Sequence, residues 1–341
     1  MRLRLLLLFL PLLLGACSKI NAPVRLDFVG ATGLISGNKT VAASDSLTTR
    51  VYAVGNDNAL KHLRISVTYE PGLSPIVYPS PLSTYDPAKN APANQEIVYL
   101  DTLLAPTFST NPNPPRGGEY LFVSQFTARS SSGIERWQYT ATDVNNESAS
   151  RAYRLTVRKP DSAAVYHSYT ARLRAVPRRT TLPDSIARRA MARVFLTLRY
   201  GSLLPKYAVT NQRDNQKLVD LIGVTDGTTF RLSTPLDVDV IKRNAINWPA
   251  ENRRTTELRR TTLTPTAFTA AVISTDFTAA FTAAGSSEFI PNKYTTGTLA
   301  KDQVVAFKIT EGSGTYYGLL LVSDLVLGTS PLLTCSVKVQ K

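Results

Sequence analysis

The chain of 341 residues contains only two cysteines, two histidines, two methionines and two tryptophans. Cysteine and histidine supply most zinc ligands, and histidine is the commonest acid–base catalyst. Their scarcity disfavours a zinc enzyme or a Cys–His hydrolase. The P-loop, dinucleotide-binding, zinc-protease and nucleophile-elbow motifs are also missing. The sequence therefore predicts no cofactor and no enzymatic activity.

Acidic residues are also few, 25 against 39 lysines and arginines, which gives a formal net charge of +14. Such a charge suits nucleic acid, an anionic membrane surface or acidic glycans. No nucleic-acid-binding motif is present, and the arginines are scattered in pairs among threonine and alanine. We interpret the charge mainly as a solvated surface without a nucleic-acid partner, and an anionic surface partner stays open as the alternative.

The N-terminal seventeen residues carry the most specific pattern in the sequence. Arg2 and Arg4 precede an apolar run over residues 5–14, which is too short to span a bilayer as a helix. The run is followed by Gly15, Ala16 and Cys17. This order resembles the lipobox of bacterial lipoproteins, in which the cysteine is acylated and becomes the new N-terminus. The alternative is an ordinary secretory signal that contains a cysteine.

The lipobox resemblance implies a signal peptide over residues 1–16, lipidation of Cys17, and a lipidated tether over residues 17–23. The membrane is then a partner through the acylated Cys17. In surface-exported lipoproteins of the Bacteroidetes type an acidic stretch commonly follows the cysteine, and none follows here. The expected location is the outer membrane, with the periplasmic face favoured over the cell surface.

Residues 24–158 predict an antiparallel β-sandwich, because short runs alternate between apolar and polar residues and are separated by turn residues. Residues 40–67 and 136–157 resemble the first and last hairpins of bacterial immunoglobulin-like domains, with Ser44 where glycine is usual. Residues 71–118 are rich in proline and asparagine and are expected to form long loops.

Residues 159–163 are the expected linker, and residues 164–341 form the expected C-terminal β-rich domain with short helices. We predict a helix over residues 184–193 and one or two helices over 266–284, where strand is the alternative. Residues 304–322 predict a hairpin that turns at 312–314. Cys335 lies in an alternating run and is predicted to be a small buried thiol.

The spacing of residues across 194–341 resembles a recurrent C-terminal domain of Bacteroidetes outer-membrane lipoproteins. The matching positions include the Val-Asp-Leu of 219–221, Trp248 and the hairpin of 302–320. This resemblance implies a β-rich fold and a location at the outer membrane. It brings no assigned chemistry.

Few residues are candidates for a site. Trp248, Tyr316 and Tyr317 are candidate ligand-binding aromatics that would stack on sugar rings, whereas Trp137 is expected in a sandwich core. Asp57, Asp143 and Glu147 lie in acidic turns that would suit calcium, although aspartate and asparagine are also good turn formers. Asp237 and Asp239 would share one face if their segment is a strand, but a catalytic pair needs a second carboxylate opposite.

The predicted fold class is mainly β, an N-terminal immunoglobulin-like antiparallel sandwich followed by a C-terminal β-rich domain with short helices. The expected function is a non-catalytic interaction or structural module, anchored by lipid in the cell envelope, with an envelope protein as partner. The alternative is a glycan-binding accessory lipoprotein of a polysaccharide-uptake system.

Overall fold

The computed structural model describes residues 22–77, 86–104, 118–160, 164–176, 188–283, 287–289 and 292–341. In these ranges the protein is mainly β, and its strands form four sheets that divide into an N-terminal and a C-terminal unit. The predicted signal peptide, Cys17 and most of the predicted tether lie outside the described residues, as do residues 161–163 of the expected linker.

The N-terminal unit contains eight strands and one short helix: β1 (Val24–Phe28), β2 (Lys39–Ala42), β3 (Ser46–Gly55), β4 (Leu60–Glu70), α1 (Pro87–Asn90), β5 (Gln95–Leu103), β6 (Glu119–Thr127), β7 (Gly133–Asp143) and β8 (Ser148–Arg158). One sheet has the order β1-β3-β6 and the other β2-β8-β7-β4-β5. All neighbouring strands are antiparallel except β2 and β8, which are parallel.

The two sheets of this unit face each other across aromatic side chains. Strand alternation turns Phe126 of β6 toward Trp137 of β7, and their ring centroids lie 4.0 Å apart. Phe28 of β1 meets Tyr139 of β7 edge to face at 5.2 Å. Trp137 and Tyr139 are fully buried. The predicted immunoglobulin-like sandwich with a core tryptophan is confirmed.

One expectation for this unit is wrong. Residues 71–118 do not form loops throughout, because β5 lies within them and pairs with β4. Ile97 and Tyr99 point into the core at alternate positions, so this strand follows the usual period of two. The prolines and asparagines around β5 led to the prediction of a loop, whereas the strand is stabilised by its pairing with β4.

Within the described residues, the C-terminal unit contains ten strands, five short helices and the helical residues 188–191. The strands and the five helices are β9 (Tyr166–Arg174), β10 (Arg193–Thr197), β11 (Ser202–Pro205), α2 (Tyr207–Thr210), α3 (Arg213–Gln216), β12 (Leu221–Thr225), β13 (Phe230–Ser233), α4 (Val238–Asn244), β14 (Thr255–Arg260), α5 (Pro265–Ala270), α6 (Ser274–Thr282), β15 (Ser287–Glu288), β16 (Val304–Glu311), β17 (Gly314–Val326) and β18 (Leu332–Gln340). A 3-10 turn spans Ala250–Asn252. The larger sheet has the order β15-β14-β16-β17-β18-β9, and the smaller has the order β11-β10-β12-β13.

Several predictions for this unit are confirmed. The segment 266–284 contains the helices α5 and α6, and Phe277 and Phe281 of α6 pack on Tyr166 and Tyr317 of the larger sheet. Strands β16 and β17 form the expected hairpin. Cys335 is buried in β18. The helix predicted over 184–193 is described only in part, with residues 188–191 helical and β10 already beginning at Arg193.

The two units are joined by one continuous apolar core and by polar contacts at their junction. Arg193 of β10 donates to the Phe126 carbonyl at 2.9 Å, and the Tyr207 hydroxyl donates to the Gln125 carbonyl at 3.2 Å. Lys159 Nζ reaches the carbonyls of Ser130 and Ser168, one in each unit. These partners are backbone atoms of the strands β6 and β9 and of the loop after β6, so the contacts fix how the units meet.

Candidate functional site

Two clefts lie at the junction between the units, on either side of the helix α3. The helix is held against β5 because the Asn215 side-chain amide donates to the carbonyl of Val98 at 2.8 Å and to that of Ala208 at 2.6 Å. Asn215 is 2 % exposed, so this contact is shielded from water. A short helix that could not persist alone is thus positioned by tertiary contacts.

The first cleft, called here the polar cleft, has a volume of about 590 Å³. Its walls come from residues 95–98 of β5, residues 251–255 after α4, residues 310–312 of the β16–β17 turn, and α3 with its flanks. The wall carries both acidic and basic side chains, among them Glu96, Asp214, Lys217, Glu251 and Arg254. A wall of this kind supplies hydrogen-bond donors and acceptors to a polar ligand.

A buried network of charges forms the floor of the polar cleft. Asp220 accepts a hydrogen bond from the backbone amide of Leu198 at 2.7 Å and from the Thr256 hydroxyl at 3.0 Å. Arg254 lies between two carboxylates, 3.4 Å from Asp220 Oδ2 and 2.7 Å from Glu311 Oε1. Asp220 is fully buried, and a buried carboxylate without a neighbouring cation is strongly destabilising. The Arg254 guanidinium is therefore needed to balance the negative charge of Asp220.

Of the two carboxylates in this network, Glu311 is the one that lines the cleft, and it accepts three hydrogen bonds from the protein. Besides Arg254, it accepts from Arg199 at 2.7 Å and from the Tyr200 hydroxyl at 2.8 Å. Burial favours its protonated form, but Arg254 together with hydrogen bonds from Arg199 and Tyr200 lowers the pKa of Glu311 below its usual value. A general acid requires the opposite shift.

The second cleft, called here the mixed cleft, has a volume of about 670 Å³. Apolar side chains from both units line it, including Leu100 of β5, Phe195 of β10 and Val224 of β12. Lys206 and Arg243 add basic groups. Both clefts fall in the size range of pockets for small ligands or for protruding side chains of a partner protein.

Trp248 is not available as a binding aromatic. Its side chain is 2 % exposed, it packs against Phe195, and its indole N–H donates to the Asn252 carbonyl at 3.0 Å. Arg253 donates two hydrogen bonds to the Trp248 carbonyl, from Nε and from Nη2. The expectation of an exposed stacking ring fails because the 3-10 turn folds the segment back over the indole.

Tyr316 and Tyr317 are neighbours on β17 and point to opposite faces of the larger sheet, so they do not form one platform. Both are half-buried. The guanidinium of Arg199 lies 3.9 Å from the centroid of the Tyr316 ring, which covers that face. Tyr317 packs against Phe281 of α6.

The three calcium candidates do not form one site. Asp143 is fully buried and caps its own turn, because one carboxylate oxygen accepts from the backbone amides of Asn145 and Glu147, each at 2.9 Å. Its other oxygen accepts from the Asn58 amide at 3.2 Å. Asp57 and Glu147 are exposed. In the described ranges, no three histidine, cysteine, aspartate or glutamate side chains are grouped as metal ligands.

Asp237 and Asp239 lie at the start of the helix α4, where Asp237 is the N-cap residue, and not on a strand. The condition for a shared face, that the segment is a strand, is therefore not met. Acidic residues are favourable at this end of a helix because the unpaired amides there carry partial positive charge. Within the described residues, none of the helices has the length and apolar character that a bilayer crossing requires.

Sequence reasoning did not identify Asp220, Arg254 and Glu311 as a group. The available signal was a single aspartate inside the apolar run of residues 218–222, where an uncompensated charge is costly. That signal indicates a buried partner. It does not indicate which of the 39 lysines and arginines supplies it.

No family model matches this chain, and no curated protein matches it. Among solved structures, a β-glucosidase from Listeria innocua bound to isofagomine is 8% identical, with a TM-score of 0.22 over 39% of this chain and 16% of that chain. The sporulation control protein Spo0M from Bacillus subtilis is 12% identical, with a TM-score of 0.23 over 67% of this chain and 84% of that chain. This chain thus matches about one sixth of the glucosidase, and likenesses this distant carry no argument about function.

Proposed function

We propose that this chain is a non-catalytic interaction module of the cell envelope, anchored in the outer membrane through an acylated Cys17. Its partner contacts the clefts at the junction of the two β units. The observation that carries this proposal is the locked junction, in which Arg193, Tyr207 and Asn215 bind backbone carbonyls of the N-terminal sandwich. A surface with fixed walls loses little conformational entropy on binding.

The chemistry of the polar cleft supports binding rather than catalysis. Its best-placed carboxylate, Glu311, is held by two arginines and a tyrosine hydroxyl. A glycosidase needs one carboxyl group with a raised pKa and a second that faces it across the substrate. Asp220, the other carboxyl bound by Arg254, accepts hydrogen bonds from Leu198 and Thr256 and is not among the residues that line the cleft.

The location rests on the sequence alone, and the anchor on residues 2–17. One lipidated cysteine carries more than one acyl chain, and two chains give stable anchoring. Replacement of Cys17 by alanine should abolish labelling by an alkynyl fatty acid and move the protein out of the membrane fraction. Unchanged labelling or unchanged fractionation would contradict the anchor.

A glycan is the second candidate ligand, favoured by the polar lining of the 590 Å³ cleft. Sugar-binding sites generally add an aromatic ring for stacking. Trp248 is buried, and one face of the Tyr316 ring is covered by Arg199, so these two candidate rings are not open for stacking on a sugar. A protein partner therefore ranks first.

The deciding experiment is site-specific photocrosslinking of the full chain in intact cells. A photoreactive residue replaces Asp214, whose side chain is 98% exposed at the rim of the polar cleft. The control position is Asn145, an exposed turn residue between β7 and β8. We expect one adduct of defined mass from position 214 and none from 145. Equal adducts at both positions, or none at 214, would overturn the assignment of the cleft.

A further inference from the structure

The strand β5 borders the polar cleft with one edge of its backbone. β5 is the last strand of its sheet and pairs on one side only, with β4. Residues 95–98 of β5 form part of the cleft wall, and the helix α3, which binds β5 on the side away from β4, lines the same cleft. The edge of β5 that faces away from β4 is therefore the edge that meets the open space of the cleft.

The hydrogen bond from Asn215 shows which backbone groups point to this edge. The Val98 carbonyl accepts from the Asn215 side chain at 2.8 Å, and α3 lies outside the sheet, so this carbonyl points away from β4. Successive residues of an antiparallel strand direct their backbone groups alternately to the two sides. Glu96 is two residues before Val98, and the register with β4 is unbroken over residues 95–98. The N–H and C=O of Glu96 and the N–H of Val98 therefore point into the cleft.

These three backbone groups have no partner in the part of the chain that the structure describes. No donor or acceptor there bonds to the Glu96 amide, the Glu96 carbonyl or the Val98 amide. The backbone groups of Ile97, between them, point to Val67 of β4. Unpaired N–H and C=O groups along a strand edge form a template for a further strand. The open stretch ends at the Val98 carbonyl, which Asn215 already occupies.

We infer that the partner places an extended peptide segment in the polar cleft, where the segment pairs with β5 as an added strand. The N–H and C=O of one residue, followed two residues later by another N–H, match the spacing of groups on a second strand, and a glycan has no such repeat. At a rise of about 3.3 Å per residue, residues 95–98 pair with about three to four residues of the partner. This inference rests on the proposed function, because it describes how the partner occupies the cleft.

The test repeats the photocrosslinking of the full chain in intact cells, with the photoreactive residue at position 214. The variant is Glu96→Pro, because proline lacks the N–H and is tolerated in an edge strand where the replaced N–H faces outward. The control is Leu121→Pro on β6, an edge strand of the other sheet. The Leu121 N–H also faces outward, since the Gly118 carbonyl, three residues earlier, accepts from Gly55 beside β3. Circular dichroism establishes that both variants are folded.

We expect Glu96→Pro to reduce the adduct from position 214 by about fivefold or more, as for the loss of one hydrogen bond, and Leu121→Pro to leave it within about twofold. An adduct that Glu96→Pro leaves unchanged, or that both substitutions reduce equally, would overturn the inference but not the proposed function. Absence of any adduct from the unsubstituted chain contradicts the proposed function itself. An adduct with twice the mass of the chain assigns the edge to a second copy and also overturns the inference.

A second measurement needs no substitution at Glu96, so it decides the question even if Glu96→Pro does not fold. Deuterium exchange at single-residue resolution compares the free chain with the adduct purified from cells. In the free chain the Glu96 amide should exchange at least about tenfold faster than the Ile97 amide, which is bonded to β4, and in the adduct it should slow by at least about tenfold. Slow exchange of the Glu96 amide in the free chain, or no slowing in the adduct, would overturn the inference.

Discussion

The Ser130 hydroxyl oxygen lies 2.7 Å from Nε2 of His167 and joins the loop after β6 to the strand β9. The same hydroxyl donates to the carbonyl of Tyr200 at 2.5 Å. A hydroxyl has one hydrogen and a carbonyl only accepts, so His167 must be the donor in its bond to Ser130. The pair therefore is not an activated nucleophile with its base. It is a buried bridge between the two units.

The first prediction concerns acid stability. Burial, followed by the charges of Lys159 and Lys341, lowers the pKa of His167 to about 3 from an ordinary value near 6.5. Between these values the unfolded chain binds a proton that the folded chain does not, so stability falls as the pH decreases from about 6.5 toward 3. Urea unfolding at pH 7 and pH 4.5 should reveal a loss of about 2 to 3 kcal/mol due to this group.

The histidine contribution is isolated with His167→Gln, which keeps a side-chain donor but cannot titrate. This variant should be less stable at pH 7 and should lose less stability than the native chain between pH 7 and pH 4.5. An unchanged pH difference in His167→Gln would refute the assignment.

The second prediction concerns Lys338, whose ammonium group closes the end of the helix α5. It donates to the carbonyls of Phe268 at 3.0 Å, Thr269 at 2.9 Å and Ala271 at 2.8 Å. These carbonyls lie at the C-terminal end of α5, where no further backbone amides of the helix are available to donate to them. Lys338→Met leaves them without a donor, and we expect a loss of about 2 to 4 kcal/mol in the free energy of unfolding.

Lys308→Met is the control for this experiment, because Lys308 lies on β16 of the same sheet and binds Glu257 at the half-exposed surface. Removal of such a pair should cost less than about 1 kcal/mol. Denaturant unfolding measures both variants, and limited proteolysis locates the change, since α5 should become the first site of cleavage in Lys338→Met. Equal costs in the two variants would contradict the capping role.

The third prediction concerns coupling in the network beneath the polar cleft. Arg254→Met leaves Asp220 without its cation and should cost about 3 to 5 kcal/mol. Asp220→Asn removes the charge that Arg254 compensates. The double variant should be more stable than the sum of the single effects predicts, by about 1 to 3 kcal/mol, because the two side chains contact each other. Simple additivity in a double-mutant cycle would show that the pair is not coupled.

The fourth prediction concerns Trp248. Trp248→Ala removes a buried indole and should destabilise the fold by about 3 to 5 kcal/mol, as large-to-small substitutions in a core do. Trp248→Phe keeps most of the ring and should cost less, mainly through the hydrogen bond to Asn252. Thermal unfolding measures both. A native melting temperature in Trp248→Ala would mean that the ring is not packed in the core.

The parts of the fold that the sequence predicted are those governed by local patterns. Alternation around Trp137 indicates a strand with one buried face, and the spacing of Phe277 and Phe281 indicates one helical turn. Both patterns are readable because each buried face is made by neighbours in sequence. The segment around Asp239 could not be assigned to helix or strand because it is short and carries only a few apolar residues to set the period.

The candidate site was not predictable in the same way, because its walls meet only in three dimensions. Nothing within the sequence around Trp248 indicates that the following turn covers it. The pairing of Arg254 with Asp220 and Glu311 likewise joins residues that are far apart along the chain. The sequence supplied the residue types of the site, whereas the distances between them depend on how strands of three sheets and several short helices pack.

The position of β18 between β17 and β9 has a consequence for biosynthesis. β9 is the first strand of its sheet to be made, and its only partner in the described sheet is the last strand of the chain. The backbone amides and carbonyls of β9 therefore stay unpaired until β18 has left the ribosome. Pairing between two strands so far apart in sequence is also slow to form. The nascent protein carries an unpaired strand edge through about the second half of its synthesis. A chaperone that covers this edge, or rapid completion of β18, therefore determines how much of the protein avoids aggregation.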